Sequence, residues 1–218
     1  MNLDKEIKQF IDDIPDDYGF SKDDAKYISG YTGCELPPFV YNSFIQDFIK
    51  KEYPFINLFP STSEPVNALC YGYGSLAVLS NTNCVIKCYQ EDYYCFRVTQ
   101  AQHYNEVSTG EQSVTFRNMA TYFTNYKGNN HKYNIVVVFP HKTEYQKVDS
   151  NPAFANLSSY AYYTLRGAYF LKPDGILVAL VPKQYAYEIK SNEGLIAELN
   201  ATLTITEEGD YAIIQIKK

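Results

Sequence analysis

The sequence predicts an α/β domain, a doubly wound and mostly parallel sheet whose C-terminal strand is antiparallel. Three stretches carry that expectation. Residues 133–139 (YNIVVVF) and 176–181 (ILVALV) are continuous apolar runs without polar alternation. Such runs suit central parallel strands buried on both faces. Residues 66–90 read as strand, glycine turn, short helix and strand, a unit with one favoured hand. The end of the chain, ATLTIT-EEGD-YAIIQIKK, reads as a β-hairpin turning near Gly209 and Asp210.

The elements follow in order. Leu3, Ile7, Phe10, Ile11 and Ile14 recur at helix spacing. Pro15 stops that helix, and Ser21 with Asp24 opens a second short one to Ile28. Residues 30–33 (GYTG) form a turn. Pro37 and Pro38 introduce a helix over 39–51. A proline-punctuated connection leads to a first strand at 66–70. Gly72 and Gly74 then allow a sharp bend or close approach of a ligand. Residues 75–79 supply one or two helical turns, and 84–88 a second strand. A helix is expected at 92–102, a third strand at 113–116, a short helix at 119–124 and a loop at 127–130. The fourth strand ends at Pro140. Asn151 and Pro152 have the chemistry of an N-cap and first-turn proline for a long helix over 153–171. Residues 172–175 (KPDG) read as a turn before the fifth strand, and 193–199 as a short helix. The N-terminal residues 1–60 are a helical extension and lead-in, and 61–218 the α/β domain.

Composition bounds the function. The chain has 218 residues, 45% of them hydrophobic, enough to bury one sizeable core rather than remain disordered. A net charge of −6 argues against strong non-specific nucleic-acid binding, while leaving room for a local basic patch. The five cysteines are odd in number and contain no CxxC pair, which argues against a disulfide framework or a zinc site. No apolar leader or membrane span is present in the sequence, so a cytoplasmic setting is expected. His103, His131 and His141 are scattered and make no metal-ligand spacing. No GxSxG elbow, P-loop lysine or GxGxxG occurs, which disfavours hydrolase, NTPase and dinucleotide oxidoreductase chemistry.

The order of pieces resembles the class I S-adenosylmethionine-dependent methyltransferases, a Rossmann-like fold, and within them the adenine-N6 DNA methylases of phages and mobile elements. The matching stretches are LCYGYGS at the turn, YNIVVVFP at the fourth strand and YTLRGAYFLKPDGILVALVP at the fifth. YISGYTG, upstream, is similar to the segment that lies against the methionine part of the cofactor in that family. The resemblance implies S-adenosylmethionine as cofactor. Its site would use Thr32, Cys70, Gly72, Gly74, Gln90, Glu91 and Asn118.

The same resemblance exposes departures. Tyr71 and Tyr73 are bulky where the methionine group should pass. Gln90 stands where a carboxylate should accept bonds from both ribose hydroxyls, with Glu91 one place late, and a one-residue shift points a side chain to the other face. Asn118 is nearest the adenine position. The catalytic tetrapeptide after the fourth strand, which in the family binds a flipped-out base, reads Phe139-Pro140-His141-Lys142. It lacks the amide acceptor, and a lysine replaces the aromatic ring. An apparent substitute, Asn151-Pro152-Ala153-Phe154, comes about twelve residues late. Two functions therefore stay open. One is a catalytically degenerate protein serving as a binding or assembly module, with a protein partner or a second copy. The other is an active methyltransferase acting on nucleic acid.

Overall fold

In the computed structural model, residues 42–53, 66–72, 74–79, 82–90, 96, 99–100, 113–118, 132–140, 149 and 151–218 are described. The predicted elements at 3–14, 21–28, 30–33, 119–124 and 127–130 lie outside them. So does most of the helix expected at 92–102, of which Phe96, Thr99 and Gln100 are helical.

Seven strands form one sheet: β1 (Asn67–Tyr71), β2 (Val85–Gln90), β3 (Ser113–Asn118), β4 (Tyr133–Val138), β5 (Leu171–Pro182), β6 (Thr202–Glu208) and β7 (Tyr211–Lys217). Their spatial order is β3-β2-β1-β4-β5-β7-β6. The first five strands are parallel, and β7 runs antiparallel to both β5 and β6. The two apolar runs are neighbours at the centre, with Val136 opposite Leu177 and Val137 opposite Val178. All four are fully buried, as their lack of polar alternation requires. Helices cover both faces. On one, α1 (Asn42–Glu52) lays Ile45 and Ile49, four residues apart, onto a core containing Cys70, Cys88 and Val137. On the other, α2 (Ser159–Ala168), α3 (Ala186–Ser191) and α4 (Gly194–Ala197) pack over Leu69, Val136 and Leu177.

Two local expectations are corrected. The helix expected over 153–171 is two pieces. Asn151 does cap, accepting from Ala153 N at 3.0 Å, but it caps a single 3-10 turn, Pro152–Phe154. The helix proper begins later, because Ser158 offers a better cap. Its hydroxyl accepts from Ala161 N at 3.2 Å while Glu188 accepts from both Ser158 N and Ser158 Oγ. The KPDG stretch is also no free turn. It lies inside β5 as an irregularity: Leu171 pairs with Tyr133, the register shifts, and Ile176 pairs with Ile135. Asp174 absorbs the bend at φ 63°, a conformation that Asp tolerates better than most residues.

Candidate cofactor site

The carboxyl ends of the parallel strands bring most of the predicted residues to one edge. Cys70 and Tyr71 end β1, and Gly72 bends away at φ 87°, followed by Gly74 at φ 84°. Both values favour glycine. Gly72 is required for a second reason: a Cβ there would stand 1.9 Å from the carbonyl oxygen of Phe139. The turn is pressed against the end of β4, where Phe139 N donates to Tyr71 O at 2.8 Å. On its other side Gly72 N donates to Tyr89 O at 3.1 Å.

The Gly72 carbonyl is the hub of this edge. It accepts from Ser75 N at 3.3 Å, Ser75 Oγ at 2.6 Å and Gln90 Nε2 at 2.8 Å. Ser75 and Gln90 are both fully buried. Gln90 closes β2, and its register partner Asn118 closes β3. Asn118, Gln90, Gly72 and Phe139 with Pro140 thus follow one another across four strand ends. Thr32, Tyr73, Glu91, His141 and Lys142 lie outside the described residues. After the glycines comes one 3-10 turn, Leu76–Leu79, in place of the one or two helical turns expected. Its Leu76, Val78 and Leu79 are anchored in the core.

Tyr71 does not occupy this edge. Its ring is turned under α2 and stacks on Tyr163, with centroids 4.3 Å apart and an interplanar angle of 26°. The substitute tetrapeptide is likewise structural. Phe154 is fully buried, with the Arg166 guanidinium 5.5 Å from its ring centroid, so that ring is not available to stack on a base.

Cys70, Cys84 and Cys88 are free buried thiols on the α1 side of the sheet. Burial raises all three pKa values, that of Cys88 to about 12, against hydrogen bonds that lower them. They are packing residues rather than nucleophiles. Among the described residues no group of three or more His, Cys, Asp or Glu side chains is placed to hold a metal ion, and no helix is long and apolar enough to cross a membrane.

Two important residues escaped the sequence reading. In the sequence Ser75 reads only as a helix start. Asp149 carries no sequence signal of its own, yet its side chain is 1% exposed and binds three groups. It accepts from Asn151 N at 2.8 Å and Tyr162 OH at 2.8 Å, and pairs with Arg166 Nε at 3.2 Å. The available signal was on α2, where Tyr162 and Arg166 share a face at i, i+4 spacing.

No protein-family model and no curated protein matches the sequence. Solved structures do match in fold. One is a candidate class I S-adenosylmethionine-dependent methyltransferase from Listeria monocytogenes, with a TM-score of 0.58 at 10% identity over 100% of this chain and 69% of that one. A precorrin-6y C5,15-methyltransferase from Geobacter metallireducens gives 0.52 at 10% identity, over 84% of this chain and 90% of that one. A Burkholderia thailandensis 1,6-didemethyltoxoflavin-N1-methyltransferase, solved with S-adenosylhomocysteine, gives 0.50 at 10% identity, over 83% and 79%. With its seven-stranded sheet and reversed β7, the chain has the Rossmann-like fold seen in class I S-adenosylmethionine-dependent methyltransferases.

Proposed function

We propose that this chain is a methyltransferase-fold protein whose cofactor edge has been turned to holding itself together, and that it works as a binding or assembly module. The observation that carries the reading is Gln90. Recognition of a ribose diol uses a side chain that accepts two hydrogen bonds, a task suited to a carboxylate. At this strand end the side chain is a neutral amide, fully buried, whose NH2 group donates to Gly72 O. Loss of charge-assisted bonds there removes about 1.5–3 kcal/mol each. S-adenosylmethionine therefore fits this edge only in part. Gly74 carries no side chain that would block its methionine end, and Asn118 ends the strand beside Gln90, but Gln90 at the ribose position does not suit it.

A second reading rests on its own observation. The glycine turn keeps both positive φ values, and Tyr71 is turned away into the core. That favours a working S-adenosylmethionine-dependent methyltransferase; nucleic acid as its substrate, with adenine-N6 in DNA as the finer form, rests on the sequence resemblance alone. When bound, the cofactor would supply the methyl group, and the segment beginning at Phe139 and Pro140 would face the acceptor.

Incubation with radiolabelled S-adenosylmethionine and unmethylated DNA or RNA separates the two. The module reading expects no label above a heat-denatured control. Label on adenine, lost on changing His141 or Lys142, supports the enzyme instead.

A further inference from the structure

Among the described residues the opposite edge of the sheet is rich in lysine, although the chain as a whole carries −6. Lys132 precedes β4, and Lys172 lies at the start of β5. Lys217 and Lys218 arrive at the same edge because β7 runs antiparallel to β5. Backbone and side-chain bonds hold them together. Lys132 N donates to Phe170 O at 3.1 Å, Lys218 N to Gly175 O at 3.0 Å and Lys218 Nζ to Leu171 O at 3.5 Å. The last turn of α1 adds Lys50 and Lys51, and Glu52 beside them pairs with Lys217 at 2.6 Å. Tyr53 fixes that helix end to the edge, its hydroxyl donating to Asp174 O at 2.7 Å. Among the described residues six lysines thus gather, with Glu52 and Asp174 among them. Lys50, Lys51 and Lys132 are exposed.

We propose that this amino-terminal edge is a binding surface for the phosphate backbone of a nucleic acid, on the side of the sheet away from the glycine turn. It is independent of whether the cofactor edge binds anything. Lysines spaced along an edge neutralise successive phosphates without reading sequence. An anionic membrane would call for apolar groups beside the cations. Of the large exposed apolar residues among those described, Val85 opens β2 at this edge as a lone side chain rather than a patch, Phe44 lies in the first turn of α1 and Tyr187 on α3.

The test is fluorescence anisotropy with a labelled single-stranded DNA 20-mer. Wild type binds, and raising sodium chloride from about 50 to about 200 mM weakens binding roughly 20-fold if about three phosphates are engaged. Lys132→Glu with Lys172→Glu weakens it at least tenfold. Lys183→Glu with Lys190→Glu, the same charge change elsewhere, does not. Lys50→Glu with Lys51→Glu is the second variant should the first lose its thermal transition. The proposal is overturned if wild type fails to bind, or if both pairs of changes weaken it equally. It is also overturned if phosphatidylserine vesicles, and not the oligonucleotide, bind in a Lys132- and Lys172-dependent way.

Discussion

The side-chain amide of Gln90 donates to the backbone carbonyl of Gly72 at 2.8 Å, tying the end of β2 to the turn after β1. Gln90→Glu removes the donor and sets a carboxylate against a carbonyl. The expected cost is about 1–3 kcal/mol. A buried glutamate there has its pKa raised above the unfolded value of about 4.3. The deficit against wild type should therefore be smallest below that value, where the protonated acid donates to Gly72 O, and grow as pH rises through the folded pKa. Thermal unfolding of both proteins at several pH values measures this. An unchanged melting temperature at neutral pH would mean that Gln90 does not clamp the turn.

Gly72→Ala meets both positive φ and the Phe139 carbonyl, which a Cβ would approach to 1.9 Å. A backbone oxygen cannot swing aside, so the change should cost about 4 kcal/mol or more. Gly194→Ala is the matched control, because nothing lies within 4 Å of a Cβ there. Its effect should be neutral, or stabilising by about 0.5 kcal/mol. Equal denaturant midpoints for the two variants would contradict the packing of the turn on β4.

Asp149→Ala leaves the Arg166 guanidinium, the Tyr162 hydroxyl and Asn151 N without their shared acceptor. Burial and then the Asp149 hydrogen bond raise the Tyr162 pKa, so its hydroxyl stays a donor across the ordinary pH range. Breaking this largely buried pair should cost about 3–5 kcal/mol. Restoring little on Asp149→Asn would show that charge, not shape, matters. Chemical denaturation of the two variants decides it.

The Cys70, Cys84 and Cys88 thiols should resist alkylation in the native protein and react on unfolding, as read by mass spectrometry of peptides. For Cys88 the folded pKa is about 12 against an ordinary 9.0. Its contribution to stability is complete below about 9 and is lost as pH climbs towards about 12. Rapid labelling of Cys88 at neutral pH would contradict its burial.

The sheet was legible because its central strands are apolar throughout, and 133–139 beside 176–181 admits few other arrangements. The hairpin was legible from Gly209 and Asp210 between an alternating run, 201–206, and an apolar one, 211–216. What the sequence did not disclose depends on partners far along the chain. Ser158 outcompetes Asn151 as the helix start because Glu188, thirty residues later, completes its cap. Asp149 sits in a polar stretch with no periodicity, and its role exists only once Tyr162 and Arg166 face it. At the site, spacing located Gly72 and Gly74 but could not show that Tyr71 would find Tyr163 and leave the edge. Nor could it show that the Gln90 amide would be used on Gly72.

Titration of the wild-type protein with S-adenosylmethionine, followed by calorimetry, asks whether this edge is a cofactor site. With Gln90 bonded to Gly72, no saturable heat is expected, or an affinity weaker than about 1 mM, equivalent to about −4 kcal/mol. A dissociation constant in the low micromolar range, about −8 kcal/mol, would contradict it and establish the edge as a working cofactor site.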